Sequence, residues 1–155
     1  MIHVLKKVKY RFKNLKEDVL MIVKDVLDVK TDKRVEIVDV TPQLESALIK
    51  TGMKTGVLNV FSRHSTSGVV INENEKGLVE DFKDALESLV PQDKQYRHNR
   101  IDNNADAHIR SFIMGSSETL PVENGKLSLG TWQSVFFVEL DGPRSRKVTL
   151  TFIGE

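Results

Sequence analysis

From Glu118 onward the chain alternates short apolar runs with turn-forming pairs, and this pattern leaves the fewest folds open. Asn124-Gly125, between LPV and LSL, is what a type I′ hairpin turn needs, because both central residues take positive φ there. The run WQSVFFVEL follows, and a DGP turn leads into VTLTFI. This part of the chain therefore reads as about four strands joined by hairpin-type turns. Upstream, RVEIVDV (34–40) alternates apolar and polar side chains, and GVLNVFS and GVVIN are β-branched runs on either side of the polar segment RHST. HVLKKVKYRF, near the N-terminus, alternates as well, with Val4, Val8, Tyr10 and Phe12 between basic residues. It predicts a strand with one wet face.

Three segments have helical spacing instead. Thr41 as a cap, Pro42 in the first turn, a shared face of Leu44, Ala47 and Leu48, and a closing Gly52 predict a helix over 42–51. Leu78, Phe82, Ala85, Leu86 and Leu89 predict a second from about Glu75 to Val90, capped by Asn74, stopped by Pro91, its stripe facing the core. After a polar loop over 91–104, Ala105, Ile109, Phe112 and Ile113 predict a short third helix over 104–114, with Gly115 just past its end. Trp132, Phe136 and Phe137 fall in a strand pattern and are expected in the core. Asp106 and Arg110, at i and i+4 away from the apolar stripe, are expected to pair on the helix surface. Together these elements predict an α+β fold built on a largely antiparallel sheet or sandwich.

A length of 155 residues fits one domain, and a net charge of +1 offers no field for nucleic acid. The absence of cysteine removes disulfides, thiolate metal sites and thiol catalysis, and points to a reducing cytoplasm. No apolar stretch approaches the roughly 20 residues of a membrane span. The first twenty residues carry six basic and two acidic side chains, a local excess read as edge-strand protection rather than as a phosphate-seeking arm.

The residues with chemical potential are histidines and their neighbours. SRHSTSG (62–68) sets Arg63 and His64 beside the hydroxyls of Ser65, Thr66 and Ser67, which are groups a phosphate or carboxylate ligand wants. The segment lacks a Walker lysine, so it is no nucleotide P-loop. His98 and His108 flank the polar loop at a spacing that matches no short zinc motif. INENE (71–75) leaves Glu73 unexplained by capping and available to orient a histidine or act as a base. In DGPR (141–144), Arg144 is the residue that the turn itself does not require.

HSTSGVVINENE, NADAHIRSFIMG, PVENGKLSLGTWQ and ELDGPRSRKV, in that order, resemble the YjbQ family, whose members are named as secondary thiamine-phosphate synthases. The resemblance covers about residues 24–155 and leaves 1–23 as an N-terminal extension of a single domain. It implies a jelly-roll-like, largely antiparallel β-sandwich with about three helices, assembled as a homotrimer. It also gathers His64, Glu73, His98, His108, Trp132, Gln133 and Arg144 into one site. On this resemblance, His64, His98 and His108 are expected to hold a divalent metal, zinc or magnesium. Glu73, His108 and Arg144 would be catalytic, and Ser65, Thr66, Asn72, Gln133 and Arg144 would bind a phosphorylated small molecule. The implied reaction joins an aminopyrimidine-methyl pyrophosphate to a thiazole phosphate. The alternative is a non-catalytic trimer that holds a metal or a phosphorylated metabolite. One departure bears on the activity: Lys76 and Gly77 stand where the family often has an acidic residue and a proline.

Overall fold

The structure is a computed structural model and describes residues 6–10, as backbone, and 20–155. Its elements are β1 (Lys6–Tyr10), β2 (Leu20–Lys30), β3 (Glu36–Asp39), α1 (Thr41–Thr51), β4 (Gly56–Ser62) and β5 (Ser67–Glu73). Then come α2 (Lys76–Leu89), a 3-10 turn (Arg97–Arg100), α3 (Ala105–Met114), β6 (Ser117–Glu123), β7 (Lys126–Leu127), β8 (Gln133–Glu139) and β9 (Ser145–Gly154). The strands form a six-stranded sheet, β1-β2-β9-β4-β6-β7, and a three-stranded sheet, β3-β8-β5. Every pairing is antiparallel, as the hairpin-type turns predict. Asn124 and Gly125 both have positive φ, at 53° and 76°, and close the β6–β7 hairpin between Glu123 and Lys126.

The core lies between the sheets, where period-two alternation turns Val23, Leu58, Val60, Leu150 and Phe152 of the larger sheet toward Val69, Val135 and Phe137 of the smaller. Leu44 and Leu48 of α1 join it. Strand β8 is buried continuously from Val135 to Glu139 because its other face packs under α2 and α3, where Phe136, Val138 and Leu140 meet Leu86 and Ala107. The helices therefore cover the outer face of the small sheet, and their ends position the polar loops.

Several expectations are corrected. Strand β2, eleven residues paired to β9 from Met21 to Lys30, was not read from the periodicity of the chain. Only residues 6–10 of the expected N-terminal strand are described, paired to Leu20–Lys24, and the rest of HVLKKVKYRF lies outside the described residues. Glu75 caps α2, accepting from the backbone N–H groups of Gly77 and Leu78, while Asn74 instead donates to Asp39. The α2 stripe is buried only at Leu86, and Leu89 is 67% exposed. The chain reverses the expected faces of α3. Phe112 is 88% exposed, whereas Asp106 and Arg110 are buried. Arg34 grips both Asp106 oxygens at 2.9 Å, and Arg110 donates to Glu87 and to the Val90 carbonyl. These bonds anchor the helix by its polar face, so the supposed surface pair is internal. Trp132, expected in the core, is 72% exposed.

Candidate functional site

Beyond Ser62, β4 leaves the ladder that pairs it with Val148 of β9. The next N–H of β9, that of Lys147, donates instead to Nε2 of His64 at 3.0 Å. The imidazole thus completes a sheet edge. Thr66, two residues on, is buried, and its Oγ1 accepts from Nη2 of Arg146 at 2.9 Å. Ser65, between them, is exposed.

Arg146 reaches inward from β9 to Glu139 at the end of β8, making two bonds of 2.6 Å with the carboxylate. Glu139 is fully buried and also accepts from the backbone N–H groups of Leu140 and Asp141, both at 3.0 Å. Burial pushes its carboxyl pKa up, but the Arg146 guanidinium and those N–H groups prevail and hold it below the usual carboxylate range. Thr31 donates to Glu139 at 3.3 Å and accepts from the Arg144 backbone N–H at 3.0 Å. The Arg144 side chain, 53% exposed, donates to Asp141 at 2.8 Å, which raises its own pKa. Asp141 is desolvated, yet Arg144 and then Asn104 keep its carboxyl pKa low. Asn104, the residue before α3, donates to both Asp141 and Asp102 at 3.1 Å. A single polar network therefore runs from Thr66 through Arg146, Glu139, Thr31, Arg144, Asp141 and Asn104 to Asp102.

His98, in the 3-10 turn, and His108, in α3, stand edge to face with ring centroids 5.0 Å apart. The Asn104 carbonyl accepts the His108 backbone N–H, and Ser111, one turn on, donates to the Ser67 carbonyl at the start of β5. The histidine pair and the His64 loop consequently lie toward the same end of the small sheet. Asn72, Glu73 and Gln133 do not. Glu73 pairs with Gln133 at the far end of β5, and the six steps from Ser67 to Glu73 span about 20 Å. Trp132 accompanies that far end.

Among the described residues no three His, Cys, Asp or Glu groups are placed to hold a metal. Glu139, Arg146, Asp141 and Asn104 were missed in the sequence reading, although all but Asn104 lie in ELDGPRSRKV. The one local signal was the charge of Glu139 at the end of the apolar run VFFVE. Between α2 and the small sheet a cleft of about 410 Å³ is lined by Ile37, Val70, Phe82, Met114 and Phe136, with Asn72 and Glu73 at one margin.

Fold and site define an antiparallel α+β sandwich with a polar, histidine-bearing end. Residues 25–155 match the family described as UPF0047 protein, YjbQ-like, and the chain belongs to that family. A UPF0047 protein of Methanothermobacter thermautotrophicus is 51% identical over 129 residues, 83% of this chain and 90% of the relative. The UPF0047 protein YugU of Bacillus subtilis is 37% identical, over 83% of this chain and 97% of its own. A crystal structure of a YbjQ-like protein of unknown function from Sulfolobus solfataricus superposes with a TM-score of 0.86 at 40% identity, covering 88% of this chain and 99% of that one.

Proposed function

We propose that the chain is a thiamine-phosphate-synthase-like transferase that binds phosphorylated small molecules and works as a homotrimer. The observation that carries this reading is the continuous network from Thr66 to Asp102, which sets Arg144 at the same end of the fold as His64, His98 and His108. In the reaction, the bond from the aminopyrimidine methylene to the pyrophosphate oxygen breaks as a bond to the thiazole nitrogen forms. The leaving pyrophosphate takes the electron pair. Fixed cationic donors lower the barrier by meeting that charge without reorganising. In this reading Arg144 supplies one, Ser65 adds a hydroxyl, and His108 gives a proton to the leaving oxygen.

Glu73, Asn72 and Gln133 join this site from a second copy. A head-to-tail ring sets one end of the small sheet against the other end of its neighbour's. Exposed Ile101, Phe112, Ile113 and Trp132 are the kind of apolar surface that assembly covers. Zinc or magnesium enters this reading only as an ion shared between copies, and no step depends on it. The distance of Glu73 from the histidines within one chain favours the second reading, a non-catalytic trimer that holds a phosphorylated metabolite or a metal.

Incubating the protein with both precursors, followed by mass detection of thiamine phosphate, separates the two. Product above the uncatalysed background supports the transferase. Binding of the pyrophosphate precursor without product supports the holding function.

A further inference from the structure

We infer that His64 and Arg146 form an oxyanion-binding pair, in which His64 is an Nδ1–H donor and not a metal ligand. This deepens, and rests on, the anionic-ligand reading above. The argument begins with the bond between the Lys147 N–H and Nε2 of His64. A nitrogen that accepts a hydrogen bond carries no proton, so in the neutral ring the proton sits on Nδ1. That N–H has no partner among the described residues. It is a donor in search of an oxygen.

The same bond works against metal ligation at both ring nitrogens. At Nε2 the lone pair is already engaged. A metal at Nδ1 would leave the proton on Nε2, pointed at another N–H, whereas metal-bound histidines place that proton against a carboxylate, carbonyl or water. Burial, then the charge of Arg146, push the imidazole pKa below the usual histidine value, with Arg63 adding to this and Glu139 opposing it.

Arg146 supplies the second donor. Its Nε and Nη2 are occupied by Glu139 and Thr66, while Nη1 makes no hydrogen bond among the described residues. The residue is 6% exposed, yet Asn104 Oδ1 is the only enclosed side-chain nitrogen or oxygen left unpaired among the described residues. Nη1 is thus left without a partner among the described residues, at the end of a guanidinium whose other atoms are fixed. A preset cation beside a neutral N–H donor suits a phosphate or carboxylate oxygen.

The test uses the full chain and inorganic phosphate. Isothermal titration compares the wild type with His64→Gln, whose amide carbonyl keeps the Lys147 bond and whose side chain lacks a donor at the Nδ1 position. The expected result is phosphate binding weakened about tenfold, with an unchanged melting temperature. Nitrogen-15 NMR of the wild type should show His64 protonated at Nδ1 and bare at Nε2, with Nδ1–H shifting on addition of phosphate and both nitrogens insensitive to zinc. Equal phosphate affinity in the variant, or zinc coordination at His64, overturns the pair and leaves the transferase reading to its product assay. No phosphate binding by the wild type overturns the pair and also counts against the anionic-ligand reading.

Discussion

Replacing Glu139 with glutamine strips the charge from the centre of the polar network while nearly preserving shape. The carboxylate takes five donors: two from Arg146, the N–H groups of Leu140 and Asp141, and the Thr31 hydroxyl. A glutamine amide turns one of its two acceptor atoms into a donor, so an N–H must face another N–H whichever way it is set. Arg146 is then left buried without a counter-charge. Breaking one side of a buried pair costs about 3–5 kcal/mol, a large share of the roughly 5–15 kcal/mol that holds a domain folded. With a urea dependence of about 2 kcal/mol per molar, the unfolding midpoint should fall by about 2 M. Circular dichroism in a urea series measures it. The double variant Glu139→Leu with Arg146→Met should recover part of the loss, because apolar replacement of both partners removes the stranded charge while leaving the Asp141 N–H without its acceptor. A midpoint shift under about 0.5 M for the single variant would refute the claim that this pair supports the β8–β9 end.

Acid should have a related effect. The Glu139 and Asp141 pKa values are lower folded than unfolded, so their contribution is present above the unfolded carboxylate pKa, near 4, and is lost as pH falls through the lower folded values. Thermal melts from pH 7 to pH 3 should show that loss beginning near pH 4, and less of it in the Glu139→Gln variant. Arg144→Ala should fold almost normally, since the side chain is half exposed and it is the backbone that meets Thr31, but should bind pyrophosphate about tenfold more weakly by titration calorimetry. A chain beginning at Met21 loses β1 and exposes β2 as a sheet edge. It should keep pyrophosphate affinity while melting earlier or assembling less well, whereas lost affinity that salt suppresses would make the segment an anion-seeking arm.

Turns and periodic runs were the legible part of the fold. Asn124-Gly125, the Gly52 helix end and the α1 face all follow from local conformational preference, which acts within a few residues. The faces of α3 were not legible, because apolar periodicity assumes that the apolar stripe points inward. Here Arg34, from just before β3, and the Val90 carbonyl, at the end of α2, satisfy the buried Asp106 and Arg110. No short-range pattern encodes partners 72 and 20 residues away. Trp132 was misplaced by the same logic. In the candidate site, the polar residues of the His64 loop and Arg144 stood out because no turn or cap required them. Glu139 and Arg146 did not stand out, since one ends an apolar strand, the other starts a strand among polar residues, and each gains its meaning from the other across a turn. The 20 Å between Glu73 and the histidine end was also invisible to motif order, which records sequence position and not which end of a strand a residue occupies.

Trp132, the only tryptophan in the chain, reports on whether those two ends meet. In a single copy it is 72% exposed at the Glu73–Gln133 end, far from Arg144 and His108. Its emission, followed as inorganic pyrophosphate is added to the assembled protein, is the direct test. If one copy's far end completes its neighbour's polar end, emission should be that of a shielded indole, should change on titration, and should need about tenfold more pyrophosphate in Arg144→Ala. Emission of a water-exposed indole, indifferent to pyrophosphate that calorimetry shows to be bound, would contradict a site shared between copies.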